Sequence, residues 1–154
     1  MRAAVILLHA TQENYLRQLL LLKFHNAPAS FFDGVKLLED KEKFMLVELA
    51  RHRGTTVDAV LADSLAAHLE RTTFNNVGDL KNTIALLSVD PKSLRADWKT
   101  LGEMMDRRHA IVHRGDMTKA SGRGKHFADS ISPYSVGIWI EAFTALVAEL
   151  NAKL

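Results

Sequence analysis

A chain of 154 residues is long enough to bury a core without disulfide or metal staples. Its 47% hydrophobic and 25% charged residues exclude a disordered or fibrous chain. The absence of cysteine excludes disulfides, thiolate metal sites and a cysteine nucleophile, with a reducing cytoplasm as the default compartment. A net charge of +2 is too small to announce a nucleic-acid partner, so such a partner has to be argued from local clusters.

Helix-period apolar spacing recurs along the chain and alternating strand-like stretches do not, which predicts an all-α protein. The first helix is expected over roughly Arg2 to Phe24, with Val5, Leu8, Leu16, Leu19 and Leu20 making it apolar on most sides. Its run "AAVILL" is too short for a signal peptide or a membrane span and is expected as buried helix, so no membrane partner is anticipated. His9, Glu13 and Arg17, spaced by four, lie above one another on one side. Pro28 and Ala29 then mark a loop.

Two helices are expected around Gly54, with Gly54 as C-cap, Thr55 as N-cap, Asp58 in the first turn and Val57, Val60, Leu61, Leu65 and Leu69 as the next apolar stripe. Such a pair is usually an αα-hairpin. A DNA-reading helix-turn-helix, with Arg51 and Arg53 as its cations, is the alternative. A short helix follows near Val77 to Leu87. Asp90 and Pro91 are expected to open a long one, on which Leu94, Trp98, Leu101, Met105 and Val112 keep a three-or-four spacing. Arg108 intrudes into that series. The segment "GDMTKASGRGKHFADSIS" reads as a basic loop, and a last helix is expected from about Pro133 to Leu154. Five or six helices result, with no internal repeat, in one domain over 1–154; the stretch 33–71 is a candidate helical-hairpin insertion.

Within the long helix, "DRRHAIVHRGD" (106–116) gathers three arginines, two histidines and two aspartates around the apolar trio Ala110, Ile111 and Val112. Three readings compete. Arg108 can snorkel or pair with Glu13 while the histidines sit exposed near a helix C-terminus. His109 and His113, at i and i+4, share a helix face on which Asp106 and Asp116 are also expected, and can bind a metal with one of those aspartates, although HExxH and thiolates are lacking. A histidine that moves a proton near neutral pH, beside an always-charged arginine, can also serve phosphodiester chemistry. The loop cations Lys119, Arg123 and Lys125, with His126, would then form an electrostatic footprint for a nucleic-acid backbone.

"RRHAIVHR" in a long helix of an all-α chain resembles the Arg-x4-His signature of the HEPN superfamily, with Arg108, His109 and His113 as the matching positions. The stretches "WKTLGEMMDRRHAIVHRGD", "VILLHATQENYLRQL" and "TFNNVGDLKNTIALL" are similar to a RiboL-PSP-HEPN-like bacterial branch. The resemblance implies an up-and-down bundle of HEPN type acting as an endoribonuclease that needs no metal or other cofactor, in toxin-antitoxin, phage-defence or RNA-processing roles. It implies a homodimer in which two motifs share one cleft, with RNA as substrate and an antitoxin or effector domain as a further candidate partner. By the same analogy His113 handles the proton of the 2′-OH or of the leaving 5′-oxygen, Arg108 holds the scissile phosphate, His109 orients within the site and Glu13 braces Arg108. Arg107, Arg114, Lys119, Arg123 and Lys125 are the expected RNA contacts. The alternative is a non-catalytic HEPN module for dimerisation or for nucleotide or RNA binding.

Overall fold

The computed structural model describes residues 1–36, 46–116 and 130–154. Every regular element among them is helical and none is a strand, so the chain is all-α. Six α-helices are present among the described residues: α1 (Arg2–Lys23), the short α2 (Leu46–Ala50), α3 (Val57–Arg71), α4 (Val77–Leu86), α5 (Trp98–Arg114) and α6 (Pro133–Lys153).

The chain forms two compact units, Leu16–Thr73 and the combination of Met1–Tyr15 with Phe74–Leu154. In the unit Leu16–Thr73, Leu16, Leu20, Phe31, Leu65 and Leu69 are buried. Gly54 takes the left-handed conformation, φ +83°, that lets the chain reverse after α2. The N-cap of α3 is Thr56, one residue beyond the expected Thr55: its side chain accepts from the Ala59 N–H at 3.2 Å. Arg17 closes the other end of α3, donating to the Leu69 and Thr72 carbonyls at 2.9 and 2.8 Å, where a cation meets the negative end of the helix dipole.

In the other unit α5 is the element around which the rest is arranged. Arg2 meets Asp116 just past its end, Asn75 ahead of α4 meets Arg108, and the Glu149 carboxylate on α6 accepts from the Arg95 N–H at its start. With Asn75 at Arg108 and Lys81 at Trp98, α4 runs opposite to α5. The core of this unit is filled by Val5, Phe74, Leu80, Ile84, Leu101, Met104, Met105, Leu146 and Leu150, each at most 1% exposed. Burial of this kind contributes roughly 1.5–3 kcal/mol per large side chain before conformational entropy is counted.

Two expectations change here. The "AAVILL" run is not uniformly buried: Val5 is enclosed, whereas Leu7 is 66% exposed. The long helix does not begin at Asp90. Pro91 opens a single 3-10 turn, Pro91–Ser93; Leu94 is then extended, and Asp97 caps α5 by accepting from the Thr100 N–H. Among the described residues, α6 is the helix long and apolar enough to cross a membrane by length and composition alone. Its Val136, Trp139, Phe143, Leu146 and Leu150 are buried, while 28% of its apolar stretch as a whole is enclosed.

Candidate functional site

The last two turns of α5 carry the motif, and their geometry begins with how the helix is stopped. Gly115 adopts φ +58°, and Asp116 follows at φ +62°, a conformation that aspartate tolerates better than most side chains. The Asp116 N–H donates back to the Ala110 carbonyl at 3.0 Å. This reversal turns the Asp116 side chain inward, where it is 1% exposed and its Oδ2 accepts from Arg2 Nε at 2.7 Å and Arg107 Nη2 at 2.8 Å. Asp116 is therefore not on the histidine face. It cannot serve as the third ligand of a His109–His113 metal pair while two guanidiniums hold it. Among the described residues no group of three His, Asp or Glu side chains is placed to hold a metal ion.

Arg107 and Arg108, adjacent in sequence, have different surroundings. Arg107 is 17% exposed and engages the Asp116 carboxylate, so its charge belongs to the helix-end clamp. Arg108 is half-buried, and its Nη1 donates to the Asn75 side-chain oxygen at 3.3 Å. Asn75 is neutral, so this contact orients the guanidinium without cancelling its charge. Asn75 is itself held, its N–H donating to Asp79 Oδ2 at 3.2 Å, while the neighbouring Asn76 caps α4 through the Asp79 N–H at 2.9 Å.

His109 and His113 are both exposed, and their rings lie one turn apart with centroids at 4.5 Å and an interplanar angle of 41°. Arg114 is exposed as well. Helix geometry separates Arg108 from His113 by about 7.5 Å along the axis and about 140° around it, whereas His109 and His113 differ by only about 40°. Val112, 48% exposed, places an apolar side chain between the two histidines in the sequence.

Glu13 does not brace Arg108. Its Oε1 accepts from the Phe74 N–H at 3.3 Å and lies 3.9 Å from Nδ1 of His9, whose Nε2 is 3.2 Å from the Phe74 carbonyl. His9 and Glu13 thus fix the backbone at Phe74, immediately before the Asn75 that touches Arg108. Lys119, Arg123 and Lys125 lie outside the described residues. The residue that sequence reasoning missed is Asn75. The Asn-x-x-Asp spacing of Asn76 and Asp79 marks a helix start there, although not the contact with Arg108.

No protein-family model, curated protein or solved structure matches the chain.

Proposed function

We propose that this chain is a HEPN-type endoribonuclease of the cytoplasm that cleaves RNA without a metal ion, through Arg108 and His113. The observation that carries the reading is the pairing of Arg108 with a neutral amide beside two exposed imidazoles on the same helix. A guanidinium held by Asn75 keeps its full charge for a phosphate, and exposed histidines can reach a ribose. Arg107, one residue earlier, has its charge taken up by a carboxylate.

In this reaction the ribose 2′-oxygen attacks the adjacent phosphorus and the P–O5′ bond breaks. The 2′-OH proton leaves to a base, the departing 5′-oxygen gains a proton, and a 2′,3′-cyclic phosphate forms. DNA lacks the nucleophile. Arg108 binds the phosphate and stabilises the charge that grows on its oxygens. His113 takes the first proton or supplies the second, and His109, one turn away, orients the group that His113 serves. Because Arg108 and His113 point about 140° apart on one helix, two copies of α5 facing each other supply both groups to one phosphate. Exposed Val112 at the same level gives that contact an apolar centre.

The experiment is incubation of the protein with end-labelled RNA in excess EDTA. Cyclic-phosphate ends that vanish with Arg108→Ala, His113→Ala support the reading. RNA binding without cleavage would assign the chain to a non-catalytic module instead.

A further inference from the structure

At the opposite end of α4 and α5 from Arg108, the chain forms a cleft of about 530 Å³ lined by Lys81, Asn82, Asp90, Pro91, Lys92 and Trp98. That is within the range of roughly 300–1,000 Å³ in which ligand-sized groups are held. Its chemistry is mixed in a specific way. Trp98, half-buried at the first turn of α5, offers an indole, and the Lys81 ammonium stands 4.8 Å from its ring centroid. Lys92 brings a second cation. The exposed Asn82 offers an amide, and Asp90, whose Oδ1 is occupied by the Lys92 N–H at 2.9 Å, offers carboxylate acceptor capacity.

An indole with one ammonium over its ring and a second nearby, together with a few hydrogen-bonding groups, suits one nucleotide: the base stacks on the indole as the Lys81 ammonium swings out to the phosphate, which also meets Lys92. The cleft is also aligned with the motif. Trp98 and His109 are eleven residues apart, which brings them within about 20° of each other around α5, and Trp98 lies about 15 Å along the axis from Arg108. That distance is a few nucleotides of single strand. We infer that the Lys81–Lys92–Trp98 cleft is a distal subsite that grips a nucleotide of the single-stranded RNA a few positions from the phosphate held at Arg108. The position of this subsite relative to the cut rests on the ribonuclease reading. The nucleotide-binding chemistry of the cleft stands by itself.

The test measures binding of an unstructured, fluorescein-labelled ten-nucleotide RNA by anisotropy in EDTA, using the full chain carrying His113→Ala so that the RNA stays intact. Adding Lys81→Ala and Lys92→Ala, both at positions with solvent access, should weaken binding at least about tenfold and lower the slope of log K against log salt by about 0.7, the change for one lost phosphate contact. Trp98→Leu should weaken it similarly while Trp98→Phe, which keeps a ring, retains most of the affinity. Unchanged affinity and salt slope in the double-lysine variant would overturn the subsite even if the wild type cleaves RNA. Conversely, loss of binding in that variant alongside an inert wild type would uphold the cleft and sink the ribonuclease reading. Quenching of Trp98 fluorescence by AMP, with no effect of the lysines on the ten-nucleotide RNA, would reassign the cleft to a free nucleotide and overturn its place on the strand.

Discussion

Arg107 and Asp116, nine residues apart, meet at 2.8 Å across the end of α5, with Arg2 joining the same carboxylate oxygen at 2.7 Å. One buried aspartate thus ties the start of α1 to the helix end that carries His113. Removing it leaves Arg107 beside a vacated, solvent-poor position, and breaking a pair of this kind is strongly destabilising. Because Arg2 is 47% exposed and keeps much of its hydration, the expected loss for Asp116→Ala is about 2 kcal/mol. Urea denaturation measures it. Asp116→Asn keeps a side chain that tolerates the left-handed backbone, so it separates the charge from the turn and should recover only part of the loss.

The neutral partner of Arg108 makes a sharper prediction about function. Asn75→Ala removes an orienting contact and should cost a few-fold in RNA cleavage. Asn75→Asp places a carboxylate where the amide stood, neutralises Arg108 and should cost about tenfold more. Steady-state kinetics on the two variants distinguish orientation from charge. Equal effects would show that the charge of Arg108 is not what the substrate uses.

Gln12 is 1% exposed, and neither its amide nitrogen nor its amide oxygen meets a hydrogen-bond partner among the described residues. Leaving each such group unpaired in a dry interior costs about 1–3 kcal/mol. Gln12→Met, similar in length and without polar groups to satisfy, should therefore raise stability by about 1 kcal/mol in thermal or urea unfolding. A destabilised variant would mean that the amide is engaged in the folded protein.

Asp97 holds the start of α5 by accepting from the Thr100 N–H at 3.0 Å and from its hydroxyl at 2.7 Å. These bonds favour the ionised form and hold the carboxyl below its ordinary value of 3.8. A depressed folded-state pKa contributes stability that is fully present above the unfolded value and disappears as pH falls through the folded one. Asp97→Ala should thus lower the melting temperature at pH 7, and the gap to wild type should shrink as pH drops below about 3.8. At pH 7, Asp97→Asn, an equally good cap, should remain close to wild type. Melting curves at pH 7 and pH 3 provide the comparison.

Much of the fold was legible because helix boundaries are written in local chemistry. Apolar residues at three-or-four spacing mark the inward faces of the helices, and the threonine pair after Gly54 marks the start of α3, although Thr56 and not Thr55 is its cap. Asp90 and Pro91 misplace the start of α5 because an aspartate followed by proline suits a 3-10 turn as well as a helix, and the later cap at Asp97 wins. The motif itself was readable as a cluster, but its division of labour was not. Extrapolating the helical wheel to Asp116 fails because the periodicity ends at the left-handed Gly115. The partners of Arg108 and Glu13 depend on Asn75 and Phe74, which are far away in sequence and invisible to spacing rules.

The measurement that bears most directly on the central claim is the 3′-end chemistry of RNA exposed to wild type and to the Arg108→Ala, His113→Ala double variant in excess EDTA. The account predicts 2′,3′-cyclic phosphate ends with wild type and intact RNA with the variant. Equal cleavage by both proteins, or wild-type cleavage that EDTA abolishes, would contradict it.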